Sequence, residues 1–290
     1  IATLGPDVNE SQIGFGVNKH GEIRFGLSAI KGMGASAADS IVRERMENGP
    51  YKDIYDFAER VDLSNVNRKA FESLAYSGGF DSFGLQREQY FAVTAKGDLF
   101  LDTIVRYGQL FQAEKAQQQN SLFGGMDAID VVHPIAPKAE KWPVIEKLNK
   151  ERELVGIYLS AHPLDEYSVV LNNMCNTRCS MIGRNANMTE LAKADEVTFG
   201  GIVTSVNERF SQKTGKPFGF VTIEDFEGTG ELALFGDDWA RWNNLLKMNY
   251  TVYITAKCQP RYRNNPDMLE LKVQKIEQLY DVKQNRLERF

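Results

Sequence analysis

The spacing of hydrophobic residues changes along the chain and predicts three kinds of segment. Residues 12–27 alternate between apolar and polar positions around a turn, which predicts two short strands. Over residues 27–95, apolar residues recur at spacings of three and four between glycine-rich breaks, which predicts short helices joined by tight turns. After residue 195 the period becomes two, which predicts five strands, with a helix at 237–247 between the third and the fourth.

Two other segments lie between these regions. Residues 111–141 are rich in Gln, Gly and Ala and have little periodicity, which is typical of a flexible linker. Residues 143–160 predict a helix with Pro143 at its first position, and His162 with Pro163 is expected to end it. A second short helix is expected over residues 164–172.

These patterns predict a multi-domain α+β protein. A small all-α domain would be followed by a linker with helices and then by a five-stranded barrel, whose strand and helix order is that of an OB fold. The expected boundaries are 1–26 for a short β-hairpin, 27–110 for the helical domain, 111–141 for the linker, 142–194 for connecting helices, 195–280 for the barrel and 281–290 for the start of a further connection.

Composition narrows the function classes. The 290 residues are 42% hydrophobic and 25% charged, which is ordinary for a globular protein and argues against disorder or a coiled coil. No apolar run is long enough to span a membrane, and the N-terminus does not resemble a signal peptide. The net charge of −5, from 34 Lys+Arg and 39 Asp+Glu, leaves no overall basic footprint, so any contact with nucleic acid must be local.

Candidate catalytic chemistry is missing from the sequence. The three histidines lack a recognisable serine, cysteine or metal partner, and there is no P-loop, so we expect no catalytic residues, metal or cofactor in this chain. Cys175, Cys179 and Cys258 are too few for a disulfide framework and lack the partners of a zinc site. Free thiols predict a reducing, cytoplasmic setting.

The first motif is a glycine turn that opens a helix at residues 35–45. It contains Lys31, Gly32, Met33 and Gly34, a pattern typical of a helix-hairpin-helix. Glycines permit a tight turn, and the first amides of the next helix can donate to a phosphate, to which Lys31 would add charge. Such a site binds the DNA backbone rather than base sequence. The alternative is a plain turn whose glycines only cap helices.

A second glycine turn follows the helix predicted at 67–75. Ser77, Gly78 and Gly79 form it, and they could bind DNA as the second half of a tandem pair. This copy has no lysine in the turn, because Arg68 and Lys69 lie at the far end of the helix. A packing role is the alternative.

The linker contains the sequence QNSLF. Its Gln119, Leu122 and Phe123 follow the pattern of peptides that dock into the bacterial sliding clamp. Leu122 and Phe123 would fill an apolar pocket, each contributing about 1.5–3 kcal/mol if fully buried. The alternative is an isolated Leu-Phe pair that covers a neighbouring domain.

Aromatic and basic residues on the first, second and fourth barrel strands predict a single-strand binding surface, because bases stack on aromatic rings and cations follow phosphates. The candidates are Arg209, Phe210, Lys213, Lys216, Phe218, Phe220, Arg261, Tyr262 and Arg263. We expect the two basic loops to lie toward one end of the barrel. The alternative is that the phenylalanines belong to the core, since strands bury every second residue.

Taken in order, these parts resemble the C-terminal half of the bacterial replicative DNA polymerase III alpha subunit. The resemblance is carried by IRFGLSAIKGMG, VNRKAFESLAYSGGFDSFG, RELVGIYLSAHPLDEY at 152–167, and GKPFGFVTIEDFEGTGELALF. Ile1 stands where a complete chain would have Met, and we expect a piece of a longer protein, with residues 1–26 as the end of a fingers region.

The resemblance implies a separate role for each of three parts of the chain. The hairpins would grip duplex DNA, the internal peptide would dock to the sliding clamp (beta), and the barrel would contact single-stranded template. The intact family protein is a DNA-directed DNA polymerase that uses magnesium and contacts the clamp-loader tau subunit and a proofreading exonuclease. This chain lacks the catalytic aspartates and is expected to be inactive alone. Two other functions remain open: a free-standing DNA-repair or recombination accessory protein, and an OB module that docks proteins without touching nucleic acid.

Overall fold

The computed structural model describes residues 2–120, 131–183, 186–212, 214–262 and 265–287, with only the backbone described at 119–120, 261–262, 265–267 and 286–287. It divides the chain into two units, Ile1–His162 and Pro163–Phe290. The first is built mainly of helices and the second mainly of one antiparallel sheet, so the α+β prediction is confirmed.

A small sheet opens the first unit. Its strands are β1 (Thr3–Leu4), β2 (Gly16–Val17) and β3 (Ile23–Arg24), in the order β1-β3-β2. The predicted hairpin is β2 and β3, and the Asn18 amide closes its turn by donating to the Glu22 carbonyl at 2.9 Å. The sequence pattern did not predict β1, which is two residues long and pairs in parallel with β3.

Six α-helices follow among the described residues of this unit. They are α1 (Ala35–Asn48), α2 (Ile54–Arg60), α3 (Arg68–Ser77), α4 (Arg87–Tyr90), α5 (Phe100–Asn120) and α6 (Val144–Val155). Asp53 and Asn67 cap α2 and α3 by accepting hydrogen bonds from their first amides. The core is aromatic: the Phe57 ring lies 5.3 Å from Phe71 and 5.0 Å from Phe80, centroid to centroid.

The segment predicted as a flexible linker is more ordered than expected at both of its ends. Helix α5 continues to Asn120, because residues 111–120 are mostly Ala, Gln, Glu and Lys, which favour helix even without an apolar stripe. Residues 131–141 have no regular structure, yet they are held against the helices: His133 stacks on Tyr55 at 4.4 Å, and the Gln89 side chain donates to the Pro137 carbonyl at 2.9 Å. Residues 121–130 lie outside the described residues.

Helix α6 is shorter than predicted. It ends at Val155 because Gly156 adopts a left-handed conformation with φ of 83°, six residues before the His162 expected to end it. The segment 142–194, predicted as one set of connecting helices, is divided between the units. Helix α6 belongs to the first unit, and α7 (Ser168–Met174) and α8 (Met188–Leu191) belong to the second.

The second unit is built on the predicted five strands. They are β4 (Val197–Phe210), β5 (Pro217–Glu224), β6 (Thr229–Phe235), β7 (Thr251–Tyr262) and β8 (Asn265–Gln278), in the order β6-β5-β4-β7-β8. The helix predicted at 237–247 is α9 (Asp237–Trp242), which ends earlier than predicted, and α10 (Leu279–Leu287) follows the sheet. Trp239 of α9 is buried in the core, and its ring packs so closely on Gly219 that a Cβ there would lie 2.3 Å away.

Candidate nucleic-acid interface

The first glycine turn presents its backbone and its lysine to solvent. Lys31, Gly32 and Gly34 are exposed, whereas Met33 is buried and anchors the turn in the core. Helix α1 follows directly: Gly34 is its N-cap, and the Ala38 amide makes the first helical hydrogen bond to the Gly34 carbonyl at 3.0 Å. The amides that precede Ala38 therefore point out of the helix end, with its positive dipole, beside Lys31.

Two distant segments hold this turn in shape. The Lys31 amide donates to the Leu154 carbonyl of α6 at 2.9 Å, and the Ser73 hydroxyl of α3 donates to the Lys31 carbonyl at 3.1 Å. Gly32 has φ of +87°, and a Cβ on it would lie 2.7 Å from the Ser73 Oγ. The glycine is therefore required both for the backbone conformation and for the close approach of Ser73.

The second glycine turn lies inside the unit. Ser77, Gly78 and Gly79 are all buried, and the Gly79 amide donates to the Leu74 carbonyl at 2.8 Å as a helix C-cap does. The guanidinium of Arg87 covers Gly78, since a Cβ there would lie 2.2 Å from an Arg87 nitrogen. A phosphate could reach Gly78 only if Arg87 moved, and all three residues are buried, so the role of this turn in DNA binding stays a prediction that the packing disfavours.

Arg87 belongs to a buried network of charges. Its guanidinium donates to the Asp81 carboxylate at 2.6 Å and to the Glu151 carboxylate at 3.0 Å, and Arg87 and Glu151 are 4% and 1% exposed. Burial alone would raise the pKa of Glu151, but hydrogen bonds from Ser160, Arg87 and Leu159 outweigh it and hold the pKa below its ordinary value. Glu151 is therefore a carboxylate that fastens α6 and residues 159–160 to the second turn.

The outer face of the barrel carries a row of aromatic rings. Strand register places Phe218 opposite both Arg209 on β4 and Phe235 on β6, so these three side chains share one face. The Phe218 ring lies 5.7 Å from Phe220 and 5.7 Å from Phe235, and Phe235 is 52% exposed. We call Arg209, Phe218, Phe220 and Phe235 the aromatic row.

Alternation along β5 shows why the row is not core. Gly219, Val221 and Ile223 are buried, whereas Phe218 and Phe220 are only half-buried on the opposite face. The alternative that these phenylalanines fill the barrel core is therefore wrong. A partly exposed aromatic surface with a cation at its edge suits stacking of bases.

The other predicted barrel residues lie elsewhere. Phe210 is 68% exposed but pairs in register with Pro217, one position out of step with the aromatic row. Lys216 is exposed just before β5 and pairs with Asp237 at 3.1 Å. The side chains of Arg261 and Tyr262, together with Lys213 and Arg263 as whole residues, are outside the described part of the structure.

We expected both basic loops to lie toward one end of the barrel, and the pairing of β4 with its two neighbours shows that this was wrong. Strand β5 pairs with the C-terminal half of β4, up to Phe210, whereas β7 pairs with β4 only over Val197 to Ile202. Because both neighbours are antiparallel to β4, the first residue of β5 and the last residue of β7 lie toward opposite ends of β4. Hydrophobic alternation does not report such staggered pairing.

The predicted clamp-binding peptide falls largely outside the described residues. Gln119 lies in the last turn of α5, and Leu122 and Phe123 belong to the undescribed stretch.

The three cysteines are free thiols, as predicted. Burial raises the pKa of Cys175 to about 12 and raises that of Cys179 as well, so both stay protonated at neutral pH. Among the residues that the structure describes, no helix is long and apolar enough to cross a membrane, and no group of three or more His, Cys, Asp or Glu side chains is arranged to hold a metal ion.

Sequence reasoning missed two residues of these surfaces. Phe235 ends a strand, and pairing β5 with β6 through the turn at 225–228 would have placed it opposite Phe218. Ser73 gave no signal, because its contact with Lys31 spans 42 positions and depends on how α3 packs.

Comparison with known proteins agrees with this division. A helix-hairpin-helix motif family matches residues 1–90, and an OB-fold nucleic acid binding domain family matches residues 197–279. The first match contains both glycine turns, and the second contains the aromatic row.

Several relatives carry the same name. The chain is 31% identical over 257 residues to "DNA polymerase III subunit alpha" of Xylella fastidiosa, covering 85% of this chain and 20% of that protein. It is 32% identical to the protein of that name from Haemophilus influenzae, covering 87% and 21%, and 31% identical to the one from Borreliella burgdorferi, covering 99% and 24%. The chain thus spans between a fifth and a quarter of the length of these relatives.

Proposed function

We propose that this chain, which is similar over most of its length to a segment of the DNA polymerase III alpha subunits, holds DNA and docks to a sliding clamp as part of such a subunit. The whole protein would be a DNA-directed DNA polymerase that uses magnesium. Its catalytic carboxylates would lie outside this chain, whose own contribution is to position DNA and to keep the polymerase on it.

Two surfaces support contact with two forms of DNA. The exposed turn with Lys31, at the N-terminus of α1, suits the phosphates of a duplex. The aromatic row suits unstacked bases of a single-stranded template, with Arg209 at its edge for the backbone. The position of these rings on the face of β5 and β6 opposite the buried core residues, with Phe235 and Arg209 exposed, is the observation that carries the proposal.

The third contact is the peptide QNSLF, with Gln119, Leu122 and Phe123 docking to the beta clamp. Its support is the sequence pattern together with the similarity to replicative polymerases. In the whole protein, further contacts with the clamp-loader tau subunit and the proofreading exonuclease are part of the proposal. Linking weak contacts raises their effective concentration, so modest affinities can still hold a moving polymerase.

Single-strand binding is tested by fluorescence anisotropy with the full chain and a labelled single-stranded oligonucleotide. We expect Phe218→Ala with Phe235→Ala to weaken binding, since each stacked base contributes about 1–3 kcal/mol. Phe226→Ala is the matched control, because this exposed phenylalanine lies in the turn at the other end of β5. Unchanged affinity in the double variant would favour the OB module that only docks proteins.

Clamp docking is tested with the clamp from the same organism. We expect the wild-type chain to bind at around micromolar strength, or about −8 kcal/mol, and Leu122→Ala with Phe123→Ala to abolish binding. Val132→Ala with Ile135→Ala is the control, because both side chains are apolar, exposed and close in sequence. Equal binding by both double variants would place the clamp site elsewhere, and no binding by the wild type would return the DNA-repair accessory protein to consideration.

A further inference from the structure

The first turn of helix α3 lies beside the first glycine turn. The Ser73 hydroxyl of α3 is hydrogen-bonded to the Lys31 carbonyl, which fixes the helix to the turn. One helical turn earlier on α3, the Lys69 side chain runs past Gly32: a Cβ on Gly32 would lie 3.4 Å from the Lys69 Cε and 3.7 Å from its Cγ. A lysine that belongs to the second hairpin in sequence therefore lies at the turn of the first.

The charge of Lys69 is available to a ligand. Its side chain is 59% exposed, and its ammonium group lies 3.3 Å from the Glu72 carboxylate, which also pairs with Arg68. Exposed pairs of this kind contribute little to stability. Arg68 pairs with both Glu72 and Asp102, so Glu72 keeps a cationic partner when Lys69 turns toward a phosphate.

We propose that Lys69 is a second phosphate-binding residue of the Lys31 turn, so that one site on duplex DNA is built from two segments of the chain. The amides at the start of α1 and the ammonium groups of Lys31 and Lys69 would together face the DNA backbone. This inference rests on the proposed function of the first turn. It also explains how a turn with one lysine can grip duplex DNA in a chain of net negative charge.

The test is a salt titration of duplex DNA binding by the full chain, with Lys69→Ala, Lys31→Ala and Lys52→Ala compared with wild type. Lys52 is an exposed lysine just beyond the C-terminal end of α1, about 20 Å of helix away from Gly34. Each phosphate contact contributes about one unit to the slope of log affinity against log salt. We expect Lys69→Ala and Lys31→Ala each to weaken binding severalfold and to lower this slope by about one, and Lys52→Ala to change neither.

The outcomes separate the inference from the proposal on which it rests. If Lys31→Ala weakens binding and Lys69→Ala behaves as Lys52→Ala does, the inference is overturned and the function of the turn stands. If neither Lys31→Ala nor Lys69→Ala changes the slope, both are overturned. Lys69→Arg keeps the charge and should keep the slope, which excludes a loss caused by altered packing.

Discussion

The two glycine turns of the helical unit look alike in sequence but lie in different environments. In the first turn, Lys31 and Gly32 are exposed, and the turn is anchored in the core by Met33 and by the hydrogen bond from Ser73. Around the second, Gly78 is covered by Arg87, whose charge is in turn neutralised by Asp81 and Glu151. The first turn can meet a ligand, whereas the second fastens helices together. A glycine motif thus indicates that the backbone approaches another group closely. The surrounding packing decides whether that group is a ligand or another part of the protein.

The largest effect is expected from removing the cover of the second turn. Arg87→Ala leaves the Glu151 carboxylate buried without its cation, which typically costs about 3–5 kcal/mol. Urea unfolding followed by circular dichroism measures the loss. Arg106→Ala removes an exposed pair with Asp98 and should cost at most about 1 kcal/mol. Similar losses in the two variants would show that the network around the second turn does not hold the unit together.

The conformation of the first turn gives the next largest effect. Gly32→Ala places a side chain at positive φ and 2.7 Å from the Ser73 Oγ, so we expect a loss of about 1–2 kcal/mol or more in the free energy of unfolding. Gly34→Ala is the matched change: Gly34 has φ of −70°, and its Cβ would lie 3.8 Å from the nearest atom, the Ser36 Oγ. It should cost under about 1 kcal/mol. An equal cost at both positions would contradict the described turn.

Two serines on α3 sharpen the comparison further. Ser73 and Ser77 are each 1% exposed, but the Ser73 hydroxyl donates to Lys31, whereas that of Ser77 donates to Leu74 within its own helix at 3.3 Å. Replacing either by Ala should cost about 1 kcal/mol of stability. Only Ser73→Ala should weaken duplex DNA binding, as measured by anisotropy, because only Ser73 shapes the first turn. Equal DNA affinity in the two variants would separate Ser73 from binding.

The smallest expected effect is on the pH dependence of stability, to which Glu151 beside the second turn contributes. The pKa of Glu151 is lower in the folded unit than its ordinary value of 4.5, so its carboxylate stabilises the fold above that pH and the contribution is lost as the pH falls through the folded value. Asp7 acts in the opposite sense, since burial raises its pKa. We expect Glu151→Gln to flatten the acid side of the stability profile measured by urea unfolding. An unchanged acid slope would show that Glu151 is not held as a carboxylate.

Local patterns predicted most of the elements. The change of period located the helical region and the five strands, and the glycines marked both turns of the helical unit. The misjudged parts were the linker and the end of α6. Residues 111–120 form helix through intrinsic preference without an apolar stripe, and Gly156 ended α6 before His162 could. Residues 131–141 were expected to be free because the contacts of His133 and Pro137 are made with distant helices.

The sequence by itself determined the order of the elements, the positions of the glycine turns and the period that sends Phe218 and Phe220 to one face of a strand. Only the tertiary structure decided that Arg87 closes the second turn, that Lys69 lies against the first, and that Phe235 completes the aromatic row. The physical reason is range. Periodicity, capping and backbone conformation act between near neighbours, whereas burial and charge pairing depend on residues such as Arg87 and Glu151, which lie 64 positions apart and meet only when the chain has folded.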